Sequence, residues 1–246
     1  MIDDGFFQEN ERTAPVSNEK QFLSVGDVDC ECGVTLPDVT VAYETFGNRR
    51  GLPILVCHAL TGDSHAIGWW ERLIGPGKAI DTDKYLVVCS NSLGGCQGTT
   101  GPTSPAPDGK PYGARFPMIS VGDMIEVQAR LADHLGISQW WCVAGGSMGG
   151  MQALEWTTRF PNRVRKAFIT ASCMAHSPMQ IAINEVARQA IRRDANFDGG
   201  NYYDHEPPLM GLSVARMLGH ISFLSDAAFE AKFSRRLQGK DKFDNH

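Results

Sequence analysis

Trp140-Trp141-Cys142-Val143-Ala144-Gly145-Gly146-Ser147-Met148-Gly149-Gly150-Met151 is the stretch on which the fold turns. Its first five residues form an apolar run of strand length. A helical pattern begins at Ser147 and continues to about Phe160, where Pro161 stops it. Between the two sits Gly-x-Ser-x-Gly, with Gly145 and Gly149 two residues to either side of Ser147. A serine at the tip of a sharp strand-to-helix turn needs small residues there, because the flanking backbones approach too closely for a Cβ. Gly150 lets the helix sit closely against the sheet. The alternative is a glycine-rich loop closing a Rossmann-like unit. That unit's strand belongs near the N-terminus, and no G-x-G-x-x-G pattern fits here. The stretch therefore reads as a nucleophile elbow with Ser147 at its tip.

Outward from the elbow, Pro53-Ile54-Leu55-Val56-Cys57 and Tyr85-Leu86-Val87-Val88-Cys89 are continuous apolar runs, which suit strands covered on both faces of a parallel sheet. Residues 39–43 alternate and predict a half-buried strand; residues 165–171 predict another. Val121, Met124, Ile125, Gln128, Leu131, Ala132 and Leu135 recur at helical spacing, with Gly136 as the stop. Residues 91–117, dense in Gly, Pro, Thr and Ser, form a loop long enough to imply a function. Beyond Ser172, residues 178–194, 209–223 and 226–237 read as helices. Strands alternating with helices define an α/β fold with a mostly parallel sheet flanked by helices. The division is a polar lead-in (1–20), the first part of the α/β core (21–175) and an incomplete helical layer (176–246).

Composition narrows the function. A chain of 246 residues with 42% hydrophobic and 21% charged residues is neither disordered nor low in complexity. No run approaches the roughly 18 apolar residues of a membrane helix. The N-terminus, Met1-Ile2-Asp3-Asp4, is acidic and has no apolar segment behind it, so no secretory signal is read. Seven cysteines (30, 32, 57, 89, 96, 142, 173) are then free, mostly buried thiols of a cytoplasmic protein. A net charge of −5 gives no nucleic-acid surface. His58 with His65, and Cys30-x-Cys32, lack the second half of a metal site, so no metal is expected.

Acyl transfer on Ser147 requires donors for an oxyanion. The backbone N–H of Met148, next after the nucleophile, is one; the other belongs to the loop after an earlier strand. His58-Ala59-Leu60-Thr61-Gly62, directly after residues 53–57, is placed for that task. His58 also reads as a base, but its position ahead of Ser147 argues for loop architecture.

Several longer motifs carry a resemblance. Tyr43-Glu44-Thr45-Phe46-Gly47, His58-Ala59-Leu60-Thr61-Gly62-Asp63, Gly75-Pro76-Gly77, Asn91-Ser92-Leu93-Gly94-Gly95-Cys96-Gln97-Gly98-Thr99-Thr100-Gly101-Pro102 and the elbow itself are similar to the homoserine O-acetyltransferases of the α/β-hydrolase superfamily. Asn184-Glu185-Val186-Ala187-Arg188-Gln189-Ala190-Ile191 and Ala215-Arg216-Met217-Leu218-Gly219-His220-Ile221 fit the same family, over a span from about residue 38 to the end. The resemblance implies an α/β-hydrolase fold with a helical lid and a ping-pong transfer. Ser147 takes the acetyl group of acetyl-CoA, with the Leu60 and Met148 N–H groups on the oxyanion. L-homoserine then receives it, for methionine biosynthesis. It also implies Arg216 on the homoserine carboxylate, coenzyme A as substrate rather than cofactor, and a homodimer through the lid. A surface salt bridge is the plainer reading of Arg216. Phe223 stands where the family usually has Tyr.

In this superfamily the order is Ser, acid, His. The 99 residues after Ser147 offer histidines 176, 205, 220 and 246 and aspartates 194, 204, 226 and 244, none at the end of a predicted sheet strand. The triad acid and base are therefore expected to be absent from this chain, along with the last sheet strands, roughly a hundred residues at about 30 per βα unit. On that expectation the chain alone is nearly inactive. The alternatives are a succinyl donor, a hydrolase of the same fold, and a non-catalytic remnant.

Overall fold

Two runs of Val, Leu, Ile and Cys with no polar face must be paired on both edges and covered on both faces. The computed structural model describes residues 19–234 and contains a six-stranded sheet built around them. In chain order the strands are β1 (Gln21–Ser24), β2 (Thr40–Gly47), β3 (Leu52–Cys57), β4 (Tyr85–Ser90), β5 (Cys142–Gly146) and β6 (Ala167–Thr170). Their order across the sheet is β1-β2-β4-β3-β5-β6. The pairs β4/β3, β3/β5 and β5/β6 are parallel, and β1/β2 and β2/β4 are antiparallel. Leu55 is aligned with Val88 on one side and Val143 on the other, at the centre of the sheet.

Side-chain alternation splits the apolar core in two. Leu55, Cys57, Val88 and Val143 face α1 (Val121–His134) and α2 (Met148–Arg159), whose Ile125, Leu131, Ala153 and Trp156 complete that layer. Ile54, Val56, Val87 and Cys89 face the other way, onto Phe46, Ala66 and Ile74. The start of α1 is fixed by a reciprocal cap. Asp123 N–H donates to Ser120 Oγ (3.0 Å), and Ser120 N–H donates to the Asp123 carboxylate (2.8 Å).

The chain divides into two units, Met1–Met174 and Ala175–His246. The second holds α3 (Pro178–Arg192), α4 (Leu209–Phe223) and α5 (Asp226–Lys232). Helices α3 and α4 meet at Gly211, where a Cβ would lie 2.5 Å from the Ala190 carbonyl oxygen. Among the described residues no helix is long and apolar enough to cross a membrane.

Several expectations need adjustment. The alternating segment 39–43 is not half-buried: β2 is covered along nearly its whole length. Its polar residues face partners rather than water. Glu44 accepts from the Ser64 hydroxyl at 2.6 Å, and Gln21 Nε2 reaches Thr45 Oγ1 at 3.5 Å. The long loop after β4 accounts for more of this cover, because Ala42 N–H donates to Thr99 Oγ1 and Thr40 N–H to Thr100 Oγ1, both at 2.9 Å. β5 begins two residues later than the apolar run suggests, and α3 stops at Arg192. The helix expected to reach 237 ends at Lys232, with Phe233 as its C-cap; residues 1–18, Asp244 and His246 lie outside the described residues.

Candidate active site

β5 ends at Gly146 and α2 begins at Met148, leaving Ser147 alone to make the turn. It does so at φ 56°, ψ −123°, a region that costs a non-glycine residue about 1–3 kcal/mol. Four hydrogen bonds hold it there. Ser147 N–H donates to the Thr170 carbonyl (3.1 Å). The Ser147 carbonyl accepts from Gly150 N–H (3.0 Å), Met151 N–H (3.2 Å) and the Ser172 hydroxyl (2.9 Å). Backbone contact does the rest. A Cβ on Gly145 would lie 2.1 Å from the Gly149 carbonyl oxygen, and one on Gly149 would lie 2.0 Å from the Cys57 carbonyl oxygen. A Cβ on Gly150 would meet Ser172 Cβ at 2.6 Å, so the close neighbour there is the segment after β6.

The serine hydroxyl is left free by this arrangement. Ser120, Ser177 and Ser225 also precede helices, and each accepts a helix N–H with its side chain. Ser147 makes no such bond, and its exposed side chain has no partner among the described residues. It stands at the N-terminus of α2, where the helix dipole favours negative charge.

The loop after β3 runs beside this turn, since Gly149 packs on the carbonyls of Cys57 and His58. Leu60 projects from it, 77% exposed. Among the described residues neither Leu60 N–H nor Met148 N–H has an acceptor. The two backbone donors named from the sequence are thus both open. His58 is no base. It is buried, its Nδ1 lies 2.7 Å from the Ala59 carbonyl, and its Nε2 accepts Ser92 N–H at 3.0 Å. The proton therefore sits on Nδ1, and burial holds the imidazole below its ordinary value of 6.5.

The remaining sequence candidates lie in the second unit. Arg216 is exposed on α4 with no ion pair or hydrogen bond among the described residues, so the surface salt bridge does not form. Phe223 is 86% exposed. The Asp194 carboxylate caps the start of α4 by accepting Gly211 N–H (2.7 Å), and backbone donors hold it below the usual carboxylate range. His205 lies 3.6 Å from Asp198, and the His220 ring packs edge-on to Phe233. Asp204 ends a single 3₁₀ turn and Asp226 begins α5. His176 lies just ahead of α3.

All seven cysteines are free thiols. Burial pushes Cys57 up to about 12 and Cys30 up to about 11, far from a reactive thiolate. Among the described residues no group of three or more His, Cys, Asp or Glu gathers at metal-binding distance. Sequence reasoning missed Ser172 and the buried polar groups around His58. Ser172 lies 25 residues after Ser147 and joins it only because β5 and β6 are neighbours.

A mostly parallel sheet with an exposed serine in a left-handed turn between strand and helix defines a protein of the nucleophile-elbow class. Residues 53–244 match the family described as alpha/beta hydrolase fold, and the chain belongs to it. It is 51% identical to a homoserine O-acetyltransferase of Methanococcoides burtonii over 95% of this chain and 51% of that protein. It is 54% identical to a homoserine O-succinyltransferase of Halorhodospira halophila over 87% of this chain and 60% of that one. The chain thus spans between half and three fifths of the length of these relatives. Among solved structures, a homoserine O-acetyltransferase from Bacillus anthracis superimposes with a TM-score of 0.83 at 31% identity, over 89% of this chain and 64% of that one. Esterase E22 superimposes with 0.82 at 31% identity, over 90% and 67%.

Two outcomes follow from the turn. Gly149→Ala forces a methyl group into the Cys57 carbonyl; such overpacking costs about 1–3 kcal/mol or more. A lowered thermal midpoint with loss of Ser147 reactivity is expected, and wild-type values for both would contradict the geometry. Separately, the unfolded chain protonates His58 near 6.5 while the folded chain resists, so stability falls as pH drops below that value. Urea midpoints at pH 7 and 5.5 should converge in His58→Gln relative to the wild type; an unchanged difference would contradict the assignment.

Proposed function

We propose that this chain carries the nucleophile of a homoserine O-acyltransferase, with acetyl-CoA as donor. The supporting observation is the free Ser147 hydroxyl, together with Leu60 N–H and Met148 N–H, neither of which has an acceptor among the described residues. Ser147 Oγ attacks the thioester carbonyl, and the N–H groups of Leu60 and Met148 receive the charge that develops on its oxygen. Collapse of the tetrahedral intermediate expels coenzyme A as the thiol and leaves acetyl-Ser147. The L-homoserine hydroxyl then attacks that ester, giving O-acetylhomoserine and free Ser147. Coenzyme A is a substrate here, and no resident cofactor or metal takes part.

A base must take the Ser147 proton in the first step and return one in the second. None of the described residues is assigned that role, nor that of the triad acid, and the chain alone is expected to turn over slowly. Arg216 is the group proposed for the homoserine carboxylate: a planar fork suits two carboxylate oxygens, and it has no other partner among the described residues. The similarity to the M. burtonii enzyme supports this reading. On this reading the activity belongs to methionine biosynthesis in the cytoplasm. A second copy of the chain is the proposed partner, through the second unit's helices. On α4, Met210, Met217, Ile221 and Phe223 are all more than half exposed.

Succinyl-CoA is the second reading, favoured by the 54% identity to the H. halophila enzyme. Intact mass after incubation with equal acetyl-CoA and succinyl-CoA separates the two. The expected result is a single acetyl group on the wild type, none on Ser147→Ala, and discharge that is faster with L-homoserine than with water alone. A succinyl adduct would replace the donor, discharge at the same rate in water would mean a hydrolase, and an adduct on Ser147→Ala would overturn the site.

A further inference from the structure

The segment from His58 to His65 contains no helix or strand, yet it carries one of the two donors on which the proposed chemistry depends. Its two ends are tied to one dipeptide. At the far end, Ser64 N–H donates to Asn91 Oδ1 (2.8 Å), and the Ser64 hydroxyl donates to the buried Glu44 carboxylate (2.6 Å). At the near end, His58 Nε2 accepts Ser92 N–H (3.0 Å), with Ser92 Oγ 3.2 Å from the same nitrogen. The line continues into α2. Gln152 Nε2 reaches Ser92 Oγ at 3.4 Å, and Gln128 Nε2 donates to Gln152 Oε1 at 2.7 Å. Gln128 Oε1 in turn accepts Trp156 Nε1–H at 2.8 Å. His58, Ser92, Gln128 and Gln152 are at most 5% exposed.

Apolar packing could fill this space, but it has no direction. Hydrogen bonds between buried groups fix orientation, and an oxyanion donor is useful only when aimed to within a few tenths of an ångström. The line joins α2, which carries Met148 N–H, to the root of the loop that carries Leu60 N–H. We infer that His58 is a positioning residue: through Ser92 and Gln152 it holds the loop in register with α2, so that Leu60 N–H converges with Met148 N–H. The inference rests on the reading of Ser147 as nucleophile.

The test is the rate at which a fluorophosphonate, whose phosphonyl oxygen takes the oxyanion position, labels Ser147 by intact mass. His58→Gln keeps an acceptor for Ser92 N–H and gives up the Nδ1–H donor to Ala59. Gln152→Met cuts the line farther back and serves if the first variant does not fold. With circular dichroism showing both samples folded, labelling should slow by about tenfold or more, within the range of lost oxyanion donors. His58→Gln should be less impaired than His58→Phe, which removes both bonds. Wild-type labelling rates in folded variants would overturn the inference while leaving the nucleophile intact. No labelling of wild-type Ser147 would overturn the nucleophile itself.

Discussion

Everything at this site depends on how closely the first turn of α2 lies against the end of β3. A Cβ on Gly149 would be 2.0 Å from the Cys57 carbonyl oxygen, closer than any two such atoms approach. That contact brings the loop after β3 beside the serine turn. It also forces Ser147 into a left-handed conformation that turns its hydroxyl away from the helix it precedes. The cost of that conformation is met by bonds from β6 and its following segment, through Thr170 and Ser172. The elbow is therefore a joint of three neighbouring strands rather than a property of five residues.

Behind the elbow the core is of two kinds. The sheet is covered by aliphatic and aromatic side chains, whose burial supplies stability without direction. Between α1, α2 and the loop after β4 lies a line of amides, an imidazole and a hydroxyl with every link paired. Such a line is costly if any member is left unmatched. Its presence where two backbone donors must converge gives those groups a purpose that packing alone would not require.

The fold was legible because its signals are local. Residues 53–57 and 85–89 have one reading each, and the helix bounds at 209–223 agree with the structure, with Pro208 ahead of the first turn. The elbow was legible for the same reason, since its glycines are spaced by the turn they permit. What escaped was whatever depends on pairing between distant segments. The alternation in β2 suggested a wet face because nothing nearby in sequence reveals that Ser64 covers Glu44. Ser172 and Gln152 carry no pattern of their own; only strand order and helix placement give them roles. A role for Arg216 is proposed through resemblance alone; the surface salt bridge that its helix position suggested does not form among the described residues.

The central claim is that Ser147, Leu60 and Met148 form one reaction centre. A crystal structure of the chain after phosphonylation of Ser147 tests it most directly. The account requires the phosphonyl oxygen to lie within about 3 Å of both backbone nitrogens, Leu60 and Met148. An oxygen turned to solvent, or held by Met148 while Leu60 N–H points elsewhere, would contradict it.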